Sequence, residues 1–423
     1  MALTLAQKLL KAHSTTPVTD ADVVAGAIVN CHIDMVLAND ITGPMAIHAF
    51  KSMGATKVFD PTKVALVMDH FVPQKDIASA EQVMVSRQFA EEQDIVHYYE
   101  GGNAGVEHAL LPETGMVKPG DLVVGADSHT CTYGGIGAFS TGMGSTDIGA
   151  VMALGESWFK VPETIKVTFD GTLQENVGGK DLILWVISQL GVDGARYMAL
   201  EFHGETIENL SVEGRLTMAN MAIEAGGKAG LFASDEKTIA YCKKAGVNNP
   251  IALAADEGAT YAKELHLNVS NLSPLVAYPH LPENVKPATE FDNISINQVI
   301  IGSCTNGRIE DMRAAAAILK GKQVKRNVRC IVLPATPMVW KQALDEGIIK
   351  IFMDAGCVVG PASCGPCLGG HLGILGKGER AIATTNRNFR GRMGSLDSEV
   401  YLSNPAVAAA SAITGVITDP ARL

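Results

Sequence analysis

Three cysteines in two glycine-rich loops constrain this chain more than any other feature. Cys304 lies in Gly302-Ser303-Cys304-Thr305-Asn306-Gly307-Arg308, and Cys364 and Cys367 lie in Ser363-Cys364-Gly365-Pro366-Cys367-Leu368-Gly369-Gly370. Each loop follows an apolar, β-branched run, the pattern of a buried strand feeding a loop. Small residues let the backbone approach a bulky inorganic group and aim N–H groups at its sulfurs. Three thiolates are one fewer than the four that hold an electron-transfer iron–sulfur cluster. A cluster on three would keep one metal position open, which suits a Lewis-acid catalyst and which an electron carrier does not need. A Cys-x-x-Cys pair also serves zinc and redox sites, and His371 keeps a Cys₃His zinc site open by spacing. The other five cysteines, Cys31, Cys131, Cys242, Cys330 and Cys357, read as small buried hydrophobes.

A length of 423 residues suggests two to four domains. The 43 glycines against 12 Phe and 3 Trp point to many tight turns, as in α/β proteins with functional loops. The net charge of −11 disfavours nucleic acid or an anionic membrane surface as a partner. An anionic substrate would therefore need a local, arginine-built site. The start, Met1 to Lys8, reads as a short amphipathic helix and not as a signal peptide, and no run of 18 uncharged apolar residues occurs. A cytoplasmic protein with reduced thiols is expected.

Alternating strand and helix patterns predict parallel α/β layers in three domains, over 1–162, 163–281 and 282–423. Val64–Met68 reads as a strand ending at Asp69-His70, and Leu122–Ala126 as one ending at Asp127-Ser128-His129. Functional groups collect at the carboxyl ends of strands in such sheets. Residues 134–150 are rich in glycine, either for packing or for close approach to a cofactor. Ile165–Phe169 reads as a strand and Asp181–Leu190 as a helix. The proline-rich Ser273–Thr289 reads as a linker. In the last domain Ile296–Ile301, Val328–Leu333 and Arg380–Thr385 read as strands, with helices at Arg313–Lys320 and Met338–Glu346.

Several polar groups stand out. His70 beside Asp69 is a tunable acid near neutral pH, or a strand-end histidine satisfied by its neighbour. His108, in Gly105-Val106-Glu107-His108, joins Asp127, Ser128 and His129 as a site candidate. The cluster at Asn39 reads as turn chemistry. Asn220 and Glu224, four apart on an expected helix, share one face in apolar surroundings. Thr385-Asn386-Arg387-Asn388-Phe389-Arg390-Gly391-Arg392 supplies local positive charge suited to carboxylates.

From about Thr4 to Leu423 the chain resembles the large subunit of the aconitase and isopropylmalate isomerase family of hydro-lyases. The resemblance is carried by the two cysteine loops and by the acid–histidine and arginine motifs in the same order. It implies three α/β domains around one 4Fe–4S cluster held by Cys304, Cys364 and Cys367, with one open iron acting as a Lewis acid. His70 is then the acid that protonates a departing hydroxyl, and Asp69 orients it. His108, Asp127, His129 and Glu224 belong to the hydrogen-bonding shell around the open iron and its water. Ser128, Arg387 and Arg392 contact substrate carboxylates, and Asn220, Asn306 and Asn386 lie in the cluster environment. Asn39 stands where aconitases carry a substrate-contacting glutamine, a departure from the family pattern. The expected reaction isomerises 2- and 3-isopropylmalate through dehydration and rehydration, in leucine biosynthesis. Alternatives are homoaconitase and dimethylmalate, citramalate or maleate chemistry. A fourth, swivelling domain finds no residues in this chain, so a separate small subunit of roughly 160–200 residues, about one domain, is expected to bring the base and the selectivity loop. An RNA-binding iron sensor or a zinc scaffold are the readings of another class.

Overall fold

The computed structural model describes residues 1–291 and 293–423. Three parallel-rich sheets carry the chain. The first orders His97–Tyr99, Val64–Val67, Met35–Asn39, Leu122–Gly125 and Phe139–Gly142, all parallel. Val64–Val67 and Leu122–Gly125 are buried throughout, which explains their unbroken apolar run: a strand covered on both faces has no solvent side to mark with polar residues. The second sheet orders Ala229–Phe232, Ala199–His203, Thr164–Asp170 and Lys263–Asn268, again parallel. The third has seven strands, with Glu399–Ser403, Arg380–Ala383, Gln298–Ile301, Arg329–Val332 and Val358–Val359 parallel to one another. A two-stranded antiparallel ribbon, Ile28–His32 with Glu156–Lys160, lies apart from these sheets.

In both outer sheets the chain steps outward on one side and then crosses to the other. The crossing leaves a crevice between Met35–Asn39 and Leu122–Gly125 in the first sheet, and between Gln298–Ile301 and Arg380–Ala383 in the third. Crevices of this kind, outside the carboxyl ends of the strands, are where open α/β sheets take ligands. Asp69, Asp127, Cys304 and Asn386 all follow strands of these two sheets.

The strands and helices expected from periodicity are present within one to three residues at most ends. Three readings change. The proline-rich stretch is not a bare linker: Leu275–Ala277 and Val285–Pro287 form an antiparallel edge on the third sheet. Proline at a strand end on a sheet edge costs no ladder bond. Gly134 and Gly135 serve packing rather than a cofactor: a Cβ on Gly134 would meet the carbonyl of Gly230, and one on Gly135 the backbone of Leu216. The helix expected to run through Asn220 and Glu224 ends at Asn220 and tightens into a 3₁₀ turn over Met221–Ala225.

The apolar cores cross the expected boundaries. Leu231 of the second sheet packs into the core of the first, and Phe169 shares a core with Ile300 and Leu402 of the third. The three sheets are therefore held together by continuous packing, which fixes the distances between their strand ends.

Candidate active site

Ten of the side chains singled out in the sequence line one cavity: Asp69, His70, His108, Asp127, His129, Cys304, Cys364, Cys367, Asn386 and Arg392, joined by Val106 and Glu107. They come from loops spread over more than three hundred residues, and the strand ends described above bring them together.

The Cys304 loop is built under strain. Ser303 adopts φ +80°, which a non-glycine residue rarely does, and a Cβ on Gly302 would meet Leu333. Bonds to the end of Arg380–Ala383 hold the turn: Gly302 N donates to Thr384 Oγ1 at 2.9 Å, and Thr305 Oγ1 donates to the Thr384 carbonyl at 2.6 Å. Asn386 then reaches across the crevice and donates through Nδ2 to Cys304 Sγ at 3.3 Å and to Asn220 Oδ1 at 3.2 Å. Burial pushes the Cys304 thiol up.

Cys364 and Cys367 are joined as a disulfide, where the sequence reading expects two thiolates. A Cys-x-x-Cys pair on so tight a turn holds its sulfurs close enough for either state. Only the reduced pair can ligate metal, because thiolate is the ligand form. Both sulfurs and a His70 ring nitrogen lie within 4.8 Å of one another. Sulfurs that share one zinc ion stand within about 4.6 Å of each other, twice the Zn–S bond. Among the described residues neither Cys304 nor His371 belongs to a group that tight with this pair, so the Cys₃His zinc arrangement lacks its geometry. A polynuclear group, whose ligands hold different metal atoms, accepts the wider spacing. Buried Glu107 Oε2, Asn386 Oδ1 and Arg392 Nε also lack hydrogen-bond partners, so the lining offers polar atoms to an occupant.

Beside the paired sulfurs, His70 is held by two carboxylates. Its Nδ1 stands 2.7 Å from Asp69 Oδ1 and 3.1 Å from Asp40 Oδ1, and the hydrogen bond goes to Asp40. Asp40 also accepts from the backbone N–H groups of His70 and Phe71. Burial pushes the imidazole down, but the charges of Asp69 and Asp40 outweigh it and hold His70 well above its ordinary value. Asp69, expected to orient His70 alone, therefore shares that role. It also accepts from Glu107 N at 2.8 Å.

A second chain of hydrogen bonds runs from His108 to Arg387. His108 Nε2 bonds Asp127 Oδ1 at 2.8 Å, and its Nδ1 meets Tyr133 Oη at 3.1 Å. Asp127 caps the following 3₁₀ turn by accepting from His129 N. His129 Nε2 bonds Glu224 Oε1 at 2.8 Å, and Arg387 Nε pairs with the same oxygen at 2.8 Å. Burial pushes His108 down, so it stays neutral. Burial raises Asp127, but the two histidines overcome it and keep the carboxylate well below its usual range. Burial likewise opposes Glu224, and His129 and Arg387 bring it below its ordinary value. Burial, together with Asp69 and Asp127, holds Glu107 well above its ordinary value.

The two arginines differ. Arg387 is committed to Glu224, whereas Arg392 lines the cavity and has no ion-pair partner among the described residues. Burial and the neighbouring Arg387 lower Arg392 from its ordinary value, a measure of a cation without a counter-charge.

Other expected residues stand further out. Ser128 lines a neighbouring cavity of about 770 Å³ that shares Asp127 with the site. Glu224, Asn220 and Arg387 lie behind the lining. Asn39 does not line the cavity. Its Oδ1 accepts from Ile41 N and Thr42 N, and its Nδ2 donates to Glu107 Oε1 at 3.0 Å. Its turn chemistry was legible, and its hold on Glu107 was not. Asn306 turns away from the sulfurs, donating to Asp311 and accepting from Lys180. Asp40 and Glu107 are site residues that sequence reasoning passed over, although each adjoins a residue it chose. Lys180 gave no signal in the sequence.

No helix among the described residues is long and apolar enough to cross a membrane. The model of the aconitase family (aconitate hydratase) matches residues 7–291 and 283–415. The chain is 67% identical, over the full length of both, to a protein of Nitratidesulfovibrio vulgaris strain Miyazaki F named 3-isopropylmalate dehydratase large subunit. It is 57% identical to a protein of the same name in Moorella thermoacetica, over 99% of each chain. The holo-form of Thermococcus kodakaraensis aconitase X is 14% identical, covering 91% of this chain and 93% of its own, with a TM-score of 0.48.

Proposed function

The chain belongs to the aconitase family, and on that premise we propose that it is the large subunit of a 3-isopropylmalate dehydratase, interconverting 2- and 3-isopropylmalate by loss and return of water. The observation that carries the reading is the unpaired Arg392 guanidinium in a cavity that also holds three cysteine sulfurs and a carboxylate-charged histidine. Proteins of this family carry an iron–sulfur cluster. We assign it here to Cys304, Cys364 and Cys367 as a 4Fe–4S cluster, with Cys364 and Cys367 reduced. When bound, such a group supplies a Lewis acid for the hydroxyl that leaves.

The side chains divide the remaining work. Arg392 binds a substrate carboxylate through charge-assisted hydrogen bonds. His70 keeps its proton at neutral pH because Asp69 and Asp40 face Nδ1, and it delivers the Nε2 proton to the departing hydroxyl. His108, Asp127, His129 and Glu224 form a fixed hydrogen-bonded relay that orients the hydroxyl and its water. Arg387 neutralises Glu224 and supports this relay from behind. Ser128 meets substrate from the adjoining cavity. The base that takes the carbon-bound proton, and the loop that reads the isopropyl group, come from a separate small subunit. The chain divides into three domains, about 1–162, 163–281 and 282–423, with Leu275–Ala277 at the end of the second lending a strand to the third sheet.

The chain, loaded anaerobically with iron and sulfide, should hydrate 2-isopropylmaleate only when its small subunit is added. Loss of the alkene's ultraviolet absorbance measures this. Activity on homoaconitate, dimethylmaleate or citraconate but not on isopropylmaleate would overturn the substrate assignment. Arg392→Ala is expected to lower kcat/KM roughly ten- to hundred-fold, the worth of about 1.5–3 kcal/mol for a hydrogen bond to a charged group. The loss should fall mainly on KM, because the carboxylate is bound alike in ground and transition states.

A further inference from the structure

Lys180, the one fully buried lysine among the described residues, ties the second layer to the Cys304 loop and to the segment after Arg380–Ala383, and neither the relay nor the arginine site uses it. It opens the helix Gly179–Leu190 of the second layer, with 1% of its surface exposed. Its Nζ donates to the Thr385 carbonyl at 2.6 Å, the Thr384 carbonyl at 2.7 Å and Asn306 Oδ1 at 3.3 Å. An ammonium has three donors and no acceptor, and all three are used here on oxygens. The two carbonyls end the strand whose next residue, Asn386, donates to Cys304 Sγ. The third acceptor, Asn306, closes the helical turn that carries Cys304, and its other end is fixed by donation to Asp311 at 2.9 Å.

We propose that Lys180 is a positioning residue: its ammonium clamps the Thr384–Thr385 carbonyls to Asn306, and so fixes Asn386 against Cys304 and places a positive charge behind the metal-binding sulfurs. The inference rests on the assignment of an iron–sulfur cluster to Cys304, Cys364 and Cys367. Thiolates bound to such a group are anionic and sit in a dry environment, where a fixed cation and a fixed N–H donor stabilise them most. Burial pushes the Lys180 amine down to about 7, with Asp311 and Cys304 foremost in opposing it. The bound cluster adds negative charge on the same side and favours the ammonium further.

The test follows release of iron to a chelator from the reconstituted chain, for wild type, Lys180→Met and Lys180→Arg, with electron paramagnetic resonance of the reduced cluster and melting of each apoprotein. Lys180→Met keeps the apolar stem and drops the charge. It is expected to lose iron about ten-fold faster, the lower end of what loss of an outer-shell partner costs a metal site, and to shift the resonance spectrum. Lys180→Arg is expected to stay within three-fold of wild type. A Met variant whose apoprotein melts with wild type, yet sheds iron faster, supports the clamp. A Met variant that does not fold beside an Arg variant that folds and keeps its iron supports it as well. A Met variant with wild-type iron release and spectrum overturns it, and failure of both variants to fold assigns Lys180 to the core and overturns it too. Wild-type chain that takes up no iron refutes the cluster assignment instead, and is read separately.

Discussion

Replacing His70 with Gln should lower kcat in the dehydration direction by about 10²–10⁴-fold, the usual worth of a positioned general acid, while iron content stays at the wild-type level. The amide keeps the size and the bond to Asp40 but has no proton to give. The companion result is a shift in pH dependence. The dehydrating form is His70 with both ring protons, so activity falls as pH rises through its folded value. That value lies well above the ordinary histidine, because two carboxylates hold the charge against the pull of burial. The alkaline limb of wild type should therefore lie above the usual range near 6.5. Asp40→Asn removes one of the two charges and should move the limb to lower pH, with Asp69 left to hold what remains. A limb that stays in place in Asp40→Asn, or a His70→Gln variant within three-fold of wild type, would refute the acid role.

The second large effect concerns the sulfurs. Cys304→Ser or Cys364→Ser should abolish both bound iron and activity with the small subunit, measured as iron and sulfide per chain on the same sample. Serine keeps the shape of the loop but is a poor ligand for iron at neutral pH, since its hydroxyl holds its proton where a thiol yields it to the metal. Cys357→Ser, on the half-buried thiol outside the site, should retain both. Iron uptake should also require a thiol reductant. The bridged Cys364–Cys367 pair must accept two electrons and two protons to give the thiols that then bind metal. Uptake of a full complement of iron by Cys304→Ser would sink the three-cysteine assignment.

The extent to which the site was legible follows from how local each signal is. Cys304, Cys364 and Cys367 are named by the residues beside them, and one cavity holds all three. The acid–histidine pairs were legible because strand ends are marked by the change from apolar to polar residues, and Asp69-His70 and Asp127-Ser128-His129 sit at such changes. The glycines at 134 and 135 stayed open between two readings for a physical reason. A glycine needed for close backbone packing and one needed for a ligand look the same in sequence, and only the nearness of Gly230 and Leu216 tells them apart. Asn220 and Glu224 were expected to share one face of a single helix because they stand four residues apart. The 3₁₀ turn that separates them lets Glu224 reach both His129 and Arg387. Asn39 kept the turn chemistry its neighbours announced, and its second bond, to Glu107, spans sixty-eight residues and had no local mark.

By itself the sequence determined which chemical groups this protein owns and the order in which strands deliver them: three cysteines in two pliant loops, histidines beside acids, and arginines in an acidic chain. The packing of three sheets decided the pairings. It gave His70 a second carboxylate in Asp40, committed Arg387 to Glu224 while leaving Arg392 open, and set Lys180 beneath the Cys304 loop. The reason is the range of the interactions. Strand and turn propensities act over a few residues and are written in sequence, whereas charge and hydrogen bonding act over a few ångströms between groups hundreds of residues apart, and those distances exist only once the cores have closed.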